Sequence, residues 1–337
     1  MRNSILATLA YYDIFDYPLT LPEIHSNLIN PSRIMMTKTG LGEIDINNIS
    51  QELKKLEAAG LVGRKEGFYF LDSRADIYEA RIQSQNIAYQ KWKKFAKTVK
   101  FLALAPFLKG VFASGSLAMS NTDEKSDFDV LVIVQSGRLY TCRIFLWLIT
   151  SVLRSRRKKD EKIAPDKLCF NHYITTDRLE IRHESLFNAQ TYANLKPALI
   201  ETDLVNEFYN ANLWLNNYLY NFSPPGTGSN ENKLSKVLDG INVKPPRLFK
   251  SVAGTIELVL NNKPGDWLEK FVKKIQQNKI RKNPVTYESG GRIVFTDVEL
   301  EFHPRSFEKV VLEKYNHNLN KLGIIPYIKE KDSGLLS

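Results

Sequence analysis

Two aspartates, Asp127 and Asp129, follow a glycine–serine pair, Gly115-Ser116, with ten residues between, and run straight into the apolar stretch Val130–Val134. In an extended strand, residues two apart point to the same side, so both carboxylates share a face and Phe128 takes the other. Side-by-side carboxylates repel unless a cation lies between them. An oxygen-preferring divalent ion such as Mg²⁺ meets that need and keeps positions open for phosphate oxygens. The Gly-Ser pair follows an expected strand, Val111–Ser114, and opens a helical turn at residues 117–120. Glycine lets a phosphate approach the backbone, the serine hydroxyl adds a donor, and a helix start offers free N–H groups to an anion. The pattern therefore suggests Mg²⁺, with room for two ions, on Asp127 and Asp129, and a nucleoside triphosphate held by Gly115, Ser116, Ser126 and Asn171. Each pair alone is weak, because Gly-Ser is common and Asp-x-Asp also occurs in Ca²⁺ loops, solvated turns and helix caps. Their order along one strand–turn–strand unit carries the information.

With those residues in that order, the chain resembles the minimal nucleotidyltransferase fold of the DNA polymerase beta superfamily, which includes antibiotic nucleotidyltransferases and CCA-adding enzymes. Gly137-Arg138-Leu139, Cys169-Phe170-Asn171, Leu195-Lys196-Pro197, Asn212-Leu213-Trp214 and Phe302-His303-Pro304 extend the likeness over most of the chain. They make it similar to a bacterial group of predicted nucleotidyltransferases carrying an N-terminal winged helix. The resemblance implies transfer of a nucleoside monophosphate from an NTP to an acceptor it does not name. Two departures stand out. Many superfamily members carry a third carboxylate on a later strand, whereas the corresponding stretch here, Leu168–Ile174, offers Asn171 or His172. Many relatives also have an arginine where Met119 stands. These departures keep open a second reading, a DNA-binding regulator whose degenerate transferase domain senses nucleotide. A nucleotide-modifying member of a toxin–antitoxin pair is a third.

The elements that must position these residues follow from periodicity. The expected class is α+β: a winged helix-turn-helix over residues 1–72, a helical connector over 73–104, a transferase sheet over 105–181 and a mostly helical region over 182–337. In the first segment, helices at 3–14, at Leu21–Leu28 (capped by Thr20 with Glu23) and from Asn48 or Ser50 to Ala59 precede a hairpin turning at Glu66-Gly67. Asn30–Gly42 reads as a loop. DNA contact is possible through residues 45–70, although Lys54, Lys55, Arg64 and Lys65 make a thin basic footprint. Further on, helix is expected at 139–157, 185–219, 247–281 (broken at Pro264-Gly265) and 306–322, a strand pair at 292–303, a linker at Pro224–Ser229 and a frayed tail from Lys329.

Composition sets the outer bounds. A net charge of +10 favours anionic partners, whether nucleic acid, nucleotide or lipid surface, without choosing among them. Cys142 and Cys169 show neither disulfide nor metal spacing and read as small buried residues. The apolar window Leu139–Leu153 contains Arg143 and is too short to span a bilayer, and the basic run Arg154–Lys159 after it reads as a solvated helix end. No secretion signal is evident, so a cytoplasmic location is expected. Trp147, Trp214 and Trp267 read as core, and His303 as structural. Arg138 and Lys167 flank the expected strands within reach of phosphates, though solvation is the plainer role for each.

Overall fold

The computed structural model describes residues 1–36, 44–158, 161, 163–224 and 242–334. It is α+β. The N-terminal module comprises α1 (Arg2–Asp13), α2 (Leu21–Ser26), α3 (Pro31–Ile34), α4 (Ile46–Ala58) and a three-stranded sheet of β1 (Leu19–Thr20), β2 (Val62–Lys65) and β3 (Phe68–Leu71), in the order β1-β3-β2. The Thr20 hydroxyl and the Glu23 carboxylate form the capping box the sequence suggests. At α4 the start lies earlier than Asn48 or Ser50. Asp45 caps it, accepting from the Asn48 N–H at 2.7 Å, while the Asn48 side chain reaches back to the Asp45 N–H. Asn at the third position completes that box as Glu or Gln would. Glu66 and Gly67 both take positive φ, giving the tight turn between β2 and β3. Within the expected loop 30–42, Pro31–Ile34 is helical. Residues 37–43, and the linker from residue 225 on, lie outside the described residues.

The long helix α5 (Ile77–Val99) leads to β4 (Leu108–Ala113), the short α6 (Gly115–Ala118), β5 (Phe128–Val134), α7 (Leu139–Val152) and β6 (Leu168–Thr175). Beyond these come α8 (Leu186–Ala193), β7 (Lys196–Ile200), α9 (Thr202–Ala211), α10 (Arg247–Leu260), α11 (Lys263–Arg281), β8 (Arg292–Phe295), β9 (Glu299–His303) and α12 (Glu308–Lys321). The central sheet runs β7-β4-β5-β6-β9-β8, with β5 and β6 parallel and every other neighbouring pair antiparallel. Residues 182–337 thus supply three of its six strands. The stretch read as helical at 185–219 contains β7, whose Pro197 is tolerated because β7 is an edge strand. Helix α7 ends at Val152 rather than at 157: Arg154 takes positive φ, and the chain then runs beside β6, with Leu168 N–H donating to Ser155 O and Arg157 N–H to Leu168 O. The break between α10 and α11 falls at Asn261-Asn262. Pro264 lies in the first turn of α11, where a missing N–H costs nothing.

Strand β5 is covered on both faces, which is why it reads as one apolar run. Phe128, Val130, Val132 and Val134 enter one core with α5 and α7, and Leu131 and Ile133 enter another with α8 and α9. Asp129 shares the second side, at the end of the strand where packing stops. A third core joins the two ends of the chain: Val311, Leu312, Tyr315 and Leu319 of α12 pack with α1, α2 and α4. The tail from Lys329 is correspondingly anchored. Arg33 clasps Glu330 through two hydrogen bonds of 2.6 and 2.8 Å, and Ser333 bonds Glu308.

Candidate active site

The two aspartates sit where β5 begins, Asp127 one residue before the strand and Asp129 within it. Their carboxylates and the Cys169 thiol bring one ligand atom each within 4.8 Å of one another. Gly115 adjoins them directly. Its φ is +62°, and a Cβ built there would lie 2.6 Å from the Asp129 Oδ2, so glycine is required both by the backbone and by the space the carboxylate fills. The Ser114 N–H donates to the Asp129 carbonyl at 2.9 Å, which ties the Gly-Ser turn to β5.

Register explains what else arrives. Strands β5 and β6 pair Asp129 with Cys169 and Val130 with Phe170, but Leu131 with His172. Asn171 is the extra residue of a bulge, and its amide donates to Asp129 Oδ1 at 2.9 Å. The third residue at the acid pair is therefore Cys169, with Asn171 beside it, and not His172. The sequence reading of Cys169 as a plain buried thiol missed this, because nothing in one strand's sequence reports a partner strand's register. Cys142 is buried as expected. Arg157 was missed too. Its guanidinium bonds Asp127 Oδ2 at 2.6 Å, so the basic run after α7 supplies a site residue rather than only a solvated helix end.

Other candidates are placed elsewhere. The Ser126 hydroxyl donates to Asp123 at 2.6 Å and organises the turn before the acids. Arg138 pairs with Asp266, and Lys167 with Glu161. Met119 offers its backbone: its carbonyl accepts from the Tyr17 hydroxyl at 2.7 Å and from Arg81 at 3.1 Å, and Arg81 also pairs with Glu23. His172 is buried, with Nδ1 to the Tyr192 hydroxyl and Nε2 to Glu299. It belongs to a closed network in which Arg292 grips Glu301 through two 2.8 Å bonds. His303 lies 3.5 Å from Glu301. A cavity of about 50 Å³, lined by Ser114, Asn171, His172, Tyr192, Arg292 and His303 among others, separates this network from the acid pair. It is far smaller than the roughly 300 Å³ of a small-molecule pocket, so it has no room for a nucleotide. Of the tryptophans expected in the core, Trp214 is half-buried, whereas Trp147 and Trp267 are exposed.

Electrostatics favour a cation here. Burial pushes the Asp129 carboxyl up to about 7, and the Asp127 charge adds to this, against smaller contributions from Cys169 and Arg157. Burial also pushes the Cys169 thiol up, so it stays protonated at neutral pH. A protonated thiol is a poor ligand for a hard ion, and the two carboxylates are a fitting minimal set for Mg²⁺ completed by phosphate oxygens.

Compared with known proteins, the chain matches no family, no curated protein and no solved structure.

Proposed function

We propose that the protein is a Mg²⁺-dependent nucleotidyltransferase that moves a nucleoside monophosphate from an NTP to an acceptor hydroxyl or similar group, releasing pyrophosphate. The observation that carries this reading is the close fit of Gly115 against Asp129, which sets a glycine–serine turn and a carboxylate pair on one small patch. In this reading Asp127 and Asp129 hold the ion, and the backbone and hydroxyl of Gly115-Ser116 face the triphosphate. Asn171 orients Asp129, and Arg157, which pairs with Asp127, would be available to a phosphate. A bound ion would neutralise charge on the phosphates. Asp127→Asn with Asp129→Asn is expected to abolish Mg²⁺-dependent pyrophosphate release from every NTP while the circular dichroism spectrum is kept. Retained turnover would show that these are not the metal ligands.

A second reading is favoured by one observation: the third position at the acid pair is a thiol, not a carboxylate. On that reading the domain binds nucleotide without turning it over, and the N-terminal module contacts DNA through residues 45–70. Salt-dependent binding to duplex DNA without consumption of any NTP would select it.

A further inference from the structure

Helices α10 and α11 form a hairpin that lies against the sheet domain with little of itself buried. Ala253 is the single buried residue of α10. Leu248, Val252, Leu258 and Val259 are exposed on that helix, Leu258 at 81%. On α11, Trp267, Phe271 and Ile275 follow at four-residue spacing, so they share one helix face, and all three are exposed, Trp267 at 67%. The Trp267 and Phe271 rings stand parallel, 5.4 Å between centroids.

Charge on the hairpin is sorted by side. From Lys244 to Lys282 the sequence has ten Lys or Arg against three Asp or Glu, a net seven of the chain's ten positive charges. All three acids are engaged by the body of the protein. Glu269 accepts from the Tyr140 and Thr141 N–H groups at 2.8 Å, capping α7. Asp266 pairs with Arg138, and Glu257 accepts from the Phe107 N–H. Lys263, Lys270, Lys274, Lys279 and Lys282 are exposed. The outer surface therefore combines cations with large apolar side chains, and the acid it exposes, Asp266, is paired with Arg138.

We infer that the α10–α11 hairpin is a docking surface for an anionic phospholipid bilayer, lying in the headgroup region with Trp267, Phe271 and its exposed aliphatic side chains inserted. Lysines flanking exposed tryptophan, phenylalanine and leucine suit an interfacial helix, whose cations reach the headgroups while the apolar side chains insert. Charge complementarity selects a negative surface, and two copies of this face would repel each other. Five of the seven exposed apolar residues are aliphatic. Stacking on bases is the work of aromatic rings, so these gain little from nucleic acid and much from the acyl boundary. No helix among the described residues is long and apolar enough to cross a membrane, so the contact is peripheral.

The test is co-sedimentation of the full chain with large vesicles of phosphatidylcholine alone or with about 30% phosphatidylserine, at about 0.1 M and about 0.5 M salt. Expected are binding at least ~10-fold tighter to the anionic vesicles, loss of most of it at high salt, and a blue shift of tryptophan emission. Trp267→Ser with Phe271→Ser, and separately Lys270→Glu with Lys274→Glu, should each cut binding about 10-fold or more with an unchanged circular dichroism spectrum. Equal partition to neutral vesicles, no binding, or binding untouched by both double variants overturns the inference. So does loss of single-stranded nucleic-acid binding in those variants without loss of vesicle binding. None of the substituted residues reaches Asp127 or Asp129, so pyrophosphate release tests the transferase reading independently of this result.

Discussion

At the scale of single residues, the site is held by what Gly115 lacks. Gly115→Ala places a methyl group where Asp129 Oδ2 now sits and forces alanine into left-handed backbone, itself a cost of about 1–2 kcal/mol. The expected outcome is a lower melting temperature together with loss of Mg²⁺-dependent turnover, read by calorimetry and pyrophosphate release. Asp129→Asn should act in the opposite sense on stability. It removes a half-buried charge beside Asp127, so in the absence of divalent ions, above the point near pH 7 where Asp129 ionises, the variant should melt a few degrees higher than the parent. A parent that melts higher than this variant without metal would mean that the pair is already well compensated by Arg157.

At the scale of elements, the β5–β6 bulge decides which residues meet. The sequence showed the acids, the Gly-Ser turn and the apolar strand, because those signals are local: a continuous apolar run, a breaker and a charge pair. It could not show that Cys169 faces Asp129, since parallel register is set by packing of helices on both faces and by one extra residue at Asn171. For the same reason Arg157 was invisible. The apolar pattern of α7 runs to Leu153 and no glycine or proline follows it before residue 157, but two hydrogen bonds to Leu168 draw the chain out of helix after Val152. β7 was hidden by a proline that only an edge strand admits, while β8 and β9 were legible from their alternation. A consequence at this scale is that Cys169→Asp installs a third acid beside the pair. It should lower the melting temperature in chelator and recover it in millimolar Mg²⁺, giving a larger metal-dependent shift than the parent shows. A shift no larger than the parent's would argue that position 169 does not face the ion.

At the scale of the whole molecule, the ends of the chain stabilise each other. Arg33 and Glu330 are both largely buried, so Glu330→Ala leaves an unpaired guanidinium under α12 and should cost about 3–5 kcal/mol in chemical denaturation. Acid should also cost the molecule stability through Glu301. Burial alone would raise its carboxyl, but the charges of His172 and Arg292 outweigh it and hold Glu301 down at about 2. A depressed acid stabilises the fold above its unfolded value near 4.5, and that contribution is lost as pH falls from there toward 2. Glu301→Gln should therefore flatten the melting curve's pH dependence below about pH 4.5, and an unchanged profile would remove Glu301 as its source.

The carbonyl of Met119 is gripped at once by Tyr17 and Arg81, and it lies four residues past the glycine that cradles Asp129. The front third of the polypeptide is thereby bolted to the turn beside the acidic patch. A change that separates Tyr17 and Arg81 from this carbonyl should therefore be felt at position 115. Two regions of separate sequence thus share one mechanical linkage, and cutting it, as Arg81→Met would, should loosen both together.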